Sequence, residues 1–272
     1  GPPLWIGAWV PAAIERAAAY FGEARTSGKV IERPPPEIEP ANEGEAYRVQ
    51  AALHRWFAAH GQGPLAGYKI GCTTAVQQAH VGIPRPCGGG MLAAQVFEGG
   101  ARLHHAEYRR PGIECEIAVR MAADAPAAGA PYDRESMAPL VGEAMAAAEI
   151  VDDRYRDYPR WPAPGLIADD FFNAGCVLGE AVAAGSIDLT AVRGTTTVNG
   201  AVAGTGTGAD VMGHPLAALA WLANVLAETG QALRAGQVVL TGSLVQTQWP
   251  GPGSEIVCAY DPPFGELSIR LD

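Results

Sequence analysis

From Pro11 the apolar positions recur at helical spacing in PAAIERAAAYFGEA, pause in the proline-rich RPPPEIEP of residues 33–40, and resume in EAYRVQAALHRWFAAH from Glu45. This pattern predicts a small helical lobe over residues 1–64. From Leu65 the chain turns glycine-rich and the period falls to two. GYKIG, GIECEIAV, GCVLG, QVVLTGS and SEIVCAY read as short apolar strands bounded by Gly, Pro or Asp, so residues 65–272 are expected to form a β-rich domain. Two helices interrupt the strands: ESMAPLVGEAMAAAEIV from Glu135, and PLAALAWLANVLA, with Pro215 at its first position and Gly230 as its stop. TTTVNGAVAG at residues 195–204 places Asn-Gly between two strand-like runs, a two-residue hairpin signal. Strands that do not alternate regularly with helices argue for an α+β fold, a mixed β-roll, over a doubly wound parallel sheet. YPRWPAPG at residues 158–165 reads as an irregular loop able to cover a site.

In GIECEIAVR, Ile113, Cys115, Ile117 and Val119 form one apolar face, which puts Glu114 and Glu116 together on the other. Two strand residues advance about 6.6 Å, close enough for the carboxylates to repel unless water, a proton or a cation lies between them. Such a pair alone is most often solvent-facing. A third acid in apolar company, Glu149 at the end of the Ala-rich helix in AAAEIVDDRY, changes the picture. Three carboxylates around one point suit a hard divalent cation, and Mg2+ leaves coordination positions for a substrate's oxygens. Lys69 in GYKIG is one of only two lysines among 19 Lys and Arg. At a strand edge it would extend to water. In a desolvated pocket its pKa would fall toward neutrality, fitting it to donate a proton or polarise a carbonyl.

Composition narrows the partners. Among 272 residues, 48% are hydrophobic and 18% charged, the balance of a globular protein. A net charge of −10 with no Lys/Arg-rich run argues against nucleic acid or an anionic membrane surface as partner, and a small, anionic substrate would then need a locally positive site. The longest apolar helix is too short to span a bilayer, and the first residues lack the pattern of a signal peptide. Five scattered cysteines without a CxxC pair fit reduced, buried thiols of a cytoplasmic protein.

Other motifs carry less. GTGTGAD at residues 204–210 has dinucleotide-like glycines but follows a hairpin, and is expected to be a loop. His104 and His105 are expected at the surface and His214 near a helix N-cap. Ser243 lacks a GxSxG setting, and Cys72 and Cys115 need be no more than small fillers.

Taken together and in order, GYKIGCT, IECEIA, AAAEIVDDRY, GHPLAALAWLAN and GQVVLTGSL resemble the 2-keto-4-pentenoate hydratase and 2-oxo-acid (4-oxalocrotonate) decarboxylase branch of the fumarylacetoacetate hydrolase superfamily, over roughly residues 45–272. The resemblance implies a β-roll core, homo-oligomeric assembly, and a Mg2+ or Mn2+ site at Glu114, Glu116 and Glu149. It implies that Lys69 is the catalytic residue at a 2-oxo acid substrate. Ser243, Asp169 and Arg154 are the expected substrate-binding residues.

Two departures qualify it. Hydratases of this branch carry an acid in a Pro-Asp-Phe-Gly-like stretch, where this chain has Pro86-Cys87-Gly88-Gly89, and the related decarboxylases lack that acid too. In IADDFFNAG, Asp169 matches the hydratase Asp-Asn-Ala-Ser-Ser pattern and Asp170 does not. The first reading is therefore a metal-dependent hydratase of a 2-hydroxy-2,4-dienoate, with a decarboxylase of a vinylogous 2-oxo acid next. An acylpyruvate hydrolase is third, because His80 is the only histidine near the expected site and the His-Glu pair of that branch has no match. A non-catalytic subunit co-assembling with a paralogous pathway enzyme is disfavoured by the retention of Lys69 and all three glutamates.

Overall fold

A computed structural model describes residues 11–272, so the first part of the expected helical lobe, with the expected absence of a signal peptide, lies outside the described residues. Helix α1 (Pro11–Ser27) packs against α2 (Glu43–Ala59). The Asn42 side chain accepts a hydrogen bond from Glu45 N at 2.9 Å, and the Glu45 carboxylate accepts one from Ala41 N at 2.7 Å. Together they satisfy amides that would otherwise lack partners at the start of α2. Its buried stripe, Ala46, Val49, Leu53 and Phe57, joins Phe21 of α1 in a cluster that also takes in Cys72, Leu166 and Phe171. The helical lobe thus shares a core with the β region across residue 64.

The β region holds strands β1 (Leu65–Gly71), β2 (Cys87–Leu92), β3 (Val96–Glu98), β4 (Gly100–Leu103), β5 (Pro111–Met121), β6 (Val141–Asp152), β7 (Asn173–Leu178), β8 (Val182–Ala183), β9 (Arg193–Val198), β10 (Ala201–Thr207), β11 (Val238–Ser243), β12 (Glu255–Tyr260) and β13 (Glu266–Leu271). Helices α3 (Ala75–Val81), α4 (Arg134–Met137), α5 (Ala163–Ala168) and α6 (Pro215–Glu228) lie between them. One mixed sheet runs β2-β1-β11-β5-β6-β7-β3 with β8 beside β6; the other runs β10-β9-β12-β13-β4. The larger sheet curls until β2 meets β7, and neither sheet closes into a barrel. Its outer face contributes Ile113, Ile117, Ala146 and Ile150 to the core shared with α6 and the second sheet. Its inner face carries a small apolar cluster, Met91, Ala118, Met145, Ala147, Cys176 and Leu240, and beyond it the charged residues described below. The architecture is α+β, as expected.

Two local expectations are corrected. Residues 141–152 form the strand β6, not the end of a helix; only Arg134–Met137, opened by an Asp133–Ser136 capping box, is α-helical. Alanine favours helix intrinsically, but β6 is hydrogen-bonded between β5 and β7 and its alanines are buried on both faces, where only small side chains fit beneath the curled sheet. The first four residues of GTGTGAD, 204–207, are likewise strand, part of the second arm of the Asn199-Gly200 hairpin, and Gly208–Asp210 forms a 3-10 turn. A Cβ on Gly206 would lie 1.9 Å from Leu244 O, so its glycine lets the segment after β11 pack directly on β10. Helix α6 starts at Pro215 and His214 caps it, its Nδ1 accepting from Leu216 N. Among the described residues, no helix is long and apolar enough to cross a membrane, and all five cysteines are buried and free.

Candidate active site

The alternation read in β5 puts Glu114 and Glu116 on the inner face, and the β5–β6 register sets Glu149 directly opposite Glu114. One carboxylate oxygen from each of the three lies within 4.8 Å of the others. Lys69 reaches the same point from β1, its Nζ 3.0 Å from Glu149 Oε1 and 2.9 Å from Oε2, with 2% of its surface exposed. Backbone and polar neighbours orient each acid. Asn173 Nδ2 donates to Glu149 Oε2 at 3.0 Å, Gly242 N to Glu116 Oε1 at 3.0 Å, and Thr247 Oγ1 to Glu114 Oε2 at 2.9 Å. Gly242 has φ +137°, and a Cβ there would lie 2.5 Å from Thr73 Oγ1, so glycine is required at the donor position.

Three carboxylates face one ammonium. Burial, and then the charge of Glu149, push the Glu114 carboxyl up to about 7 and Glu116 well above its usual range. Burial alone would lower the Lys69 pKa, but Glu149, Glu114 and Glu116 outweigh it and raise it. The expectation of a lysine shifted toward neutrality is corrected accordingly: in the metal-free site the three acids shift Lys69 the other way. Glu116 Oε2 is buried and has no hydrogen-bond partner. An orphaned oxygen within a set of three hard donors is the arrangement a divalent cation fits.

A cavity of about 440 Å³ opens on this cluster, with Lys69, Glu114 and Ser243 among its lining residues. Helix α3 contributes Val76, Gln77, His80 and Val81 to the wall, the segment after β11 contributes Leu244 to Thr247, and Trp249 lies beyond. Tyr158, from the loop expected to cover a site, also lines the cavity, and its hydroxyl is 3.2 Å from His80 Nε2. The Ser243 hydroxyl donates to Val245 O. Cys87 lies buried in β2 opposite Gly71 and beside the Cys72 thiol, outside the lining; burial pushes its own thiol up. Cys72 itself lines the cavity with φ +55°.

Arg154 and Asp169 are brought to each other, not to the cavity, which corrects their expected role. Arg154 Nε donates to Asp169 Oδ2 at 2.9 Å and its two terminal nitrogens to the Asn173 and Asp169 carbonyls, at 2.9 and 2.8 Å. A guanidinium so engaged, and buried, has no face left for substrate. Asp170 has its own partners, with His54 Nε2 at 2.6 Å, Gly90 N at 2.7 Å and Arg25 at 2.7 Å around its carboxylate, and Arg25 also lies 3.6 Å from Asp169 Oδ1. Between and beyond these anchors Asp170, Phe171 and Phe172 take φ of +61°, +43° and +70°, a left-handed run that ordinarily costs about 1–2 kcal/mol per residue. It turns both phenylalanines into the cavity wall, with Lys69 Nζ 5.5 Å from the Phe171 ring centroid. Asn173, Thr247, Gly242 and the Phe pair were not foreseen; the only signal in the sequence was the departure at Asp170-Phe171-Phe172.

Residues 73–271 match the fumarylacetoacetate (FAA) hydrolase C-terminal family. A 2-keto-4-pentenoate hydratase of Paraburkholderia phymatum is 35% identical over 240 residues, covering 85% of this chain and 87% of that protein. A 4-oxalocrotonate decarboxylase of Pseudomonas putida is 29% identical over 228 residues, covering 84% of each. Among solved structures, 4-oxalocrotonate decarboxylase from Pseudomonas putida G7, complexed with magnesium and adipate, superposes with a TM-score of 0.89 at 25% identity over 97% of this chain and 98% of that one. Fumarylpyruvate hydrolase from Pseudomonas aeruginosa, in complex with Mn2+ and pyruvate, has a TM-score of 0.60 at 16% identity over 75% of this chain and 88% of that one, a likeness of fold alone.

Proposed function

Because this chain belongs to the fumarylacetoacetate hydrolase family, we propose that it is a divalent-metal-dependent lyase of small 2-oxo and 2-hydroxydienoic acids. The observation that carries the reading is the cluster of Glu114, Glu116 and Glu149 facing the Lys69 ammonium at the floor of a mostly apolar cavity. The three glutamates would hold Mg2+ or Mn2+, which when bound supplies Lewis-acid stabilisation to negative charge on a substrate oxygen. Lys69 would bind the same anionic end of the substrate, and its ammonium is the group able to hold or move a proton at the 2-oxygen. Phe171, Phe172, Val245 and Trp249 exclude water around the reacting chain, which strengthens those interactions.

Hydration of a 2-hydroxy-2,4-dienoate to a 4-hydroxy-2-oxo acid is the first reading. One observation favours the second, decarboxylation: Cys87 is buried away from the cavity, and Glu114 is the one carboxylate among the described lining residues. Loss of CO2 needs no added base to activate water. Hydrolysis of an acylpyruvate has less support, since the partner of His80 is Tyr158 and not an acid. Assembly as a homo-oligomer in the cytoplasm belongs to the same proposal.

The test is turnover of 2-hydroxypenta-2,4-dienoate and of 4-oxalocrotonate with Mg2+ or Mn2+, and with EDTA as control, following dienol absorbance and CO2 together. Metal-dependent dienol loss without CO2 identifies the hydratase, and CO2 release from oxalocrotonate the decarboxylase. Inactivity on both, with metal bound, contradicts the reading.

A further inference from the structure

The charged floor of the cavity fixes one end of a substrate; its walls bear on the other. Among the described residues, Lys69 is the one Lys or Arg that lines the cavity, and its ammonium is already held by Glu149. Residues 1–10 contain neither type. Arg110 lies beside the wall, but its guanidinium is stacked 4.5 Å from the Trp249 ring centroid and 3.9 Å from Asp153, and it is not part of the lining.

The surface beyond Lys69 is mostly apolar: Val76 and Val81 of α3, Phe171 and Phe172, Val245 and Trp249. It is interrupted by the uncharged Thr74, Gln77, Tyr158, Gln246 and Thr247 and by His80. The aromatic part is fixed before any ligand arrives. Phe172 packs edge-on against Phe171 and Tyr158, with ring centroids 5.2 and 5.1 Å apart, and the left-handed turn that carries the pair is pinned on its inner side by Asp169 with Arg154 and by Asp170 with Arg25 and His54. The volume of about 440 Å³ falls within the roughly 300–1,000 Å³ of pockets that enclose drug-sized ligands, more than a five-carbon acid fills.

Resting on the hydratase arm of the lyase reading above, we propose that this part of the cavity is a subsite for an uncharged apolar tail, alkyl or aryl, on the 2-oxo acid, and that it selects against dicarboxylates, 4-oxalocrotonate included. A second carboxylate would lose water against these walls with no lysine or arginine to pair it, and His80, the one histidine of the lining, is already engaged by the Tyr158 hydroxyl. Each methylene of an alkyl tail placed there is expected to tighten binding by about fourfold.

The test is calorimetric titration of the Mg2+-loaded protein with three unreactive ligands: 2-oxopentanoate, 2-oxooctanoate and 2-oxoadipate. The proposal expects 2-oxooctanoate to bind at least about tenfold more tightly than 2-oxopentanoate, and 2-oxoadipate at least about tenfold more weakly. Val76→Arg, at an exposed position of the wall, is expected to improve 2-oxoadipate binding by about fivefold or more and to weaken 2-oxooctanoate. Equal affinities, or 2-oxoadipate tightest, overturn the proposal, as does failure of all three to bind. If the order holds but no dienoate is turned over with metal, the subsite stands and the lyase reading falls; metal-dependent turnover without the order has the opposite meaning.

Discussion

The Lys69 ammonium is bound to both oxygens of Glu149, at 3.0 and 2.9 Å, and Glu149 is the cross-strand partner of Glu114. Residues from strands far apart in sequence are thereby locked into one charged cluster at the mouth of the curled sheet. The lysine offsets part of the repulsion among the acids and faces the cavity where a substrate's anionic end would lie.

Removing that ammonium separates chemistry from metal binding. Lys69→Met is expected to lower kcat by roughly 10²–10⁴ while Mn2+ still binds. Lys69→Arg should not restore activity, since a planar guanidinium does not replace a compact ammonium in a fully enclosed site. Steady-state kinetics beside a Mn2+ titration checks this; full turnover by Lys69→Met would make the lysine structural.

Asn173 holds Glu149 in place alongside Lys69, through Nδ2 to Oε2 at 3.0 Å. Asn173→Ala should cost about 10–100-fold in metal affinity or activity. Glu116→Gln, which replaces a direct donor, should cost more. Titration with Mn2+ separates the two variants, and an Asn173→Ala affinity equal to wild type would remove Asn173 from the site's support.

How much of this was legible in the sequence follows from what each residue depends on. Glu114 and Glu116 could be read because a strand's period of two is local, and the alternation of Ile113, Cys115, Ile117 and Val119 declares it. The strand at residues 141–152 was hidden by its alanines: their helix preference is intrinsic, whereas the small space beneath a curled sheet is set by distant strands. In the sequence Arg154 and Asp169 read as substrate-binding residues and not as each other's partners, since which of several acids an arginine reaches is decided by tertiary packing. Asn173, Gly242 and Thr247 act as donors through contacts that no spacing encodes.

The pH dependence of the metal-free protein has a definite sign. Glu114 is lifted from the usual 4.5 to about 7, chiefly by burial and next by Glu149, and Glu116 is lifted as well. The folded state therefore keeps protons that the unfolded chain releases. The stability this contributes is complete below pH 4.5 and is lost as pH rises through about 7. In EDTA, Tm should fall between pH 5.5 and 8. Saturating Mg2+ should reduce the fall, because ionised carboxylates bind the cation more tightly as pH rises. A flat Tm in EDTA over this range would contradict the assignment.

The Asp170 cluster ties the helical lobe to the cavity wall. Burial alone would raise its pKa, but His54 and Arg25 hold the carboxyl down to about 2. This pairing contributes stability that is present above the usual 3.8 and is lost as pH falls toward 2. Asp170→Ala leaves His54 without its carboxylate and Arg25 with only the longer contact to Asp169 at 3.6 Å, and is expected to destabilise the fold by about 3 kcal/mol. Urea unfolding measures it, and a loss below about 1 kcal/mol would mean the anchor is dispensable.

The most direct test of the metal centre is the anomalous diffraction of crystals grown with Mn2+, recorded without substrate. A single strong peak bounded by the carboxylates of Glu114, Glu116 and Glu149, absent from crystals of Glu116→Gln, is the predicted result. No peak among these three residues at saturating Mn2+, or a peak located elsewhere, would contradict the central claim.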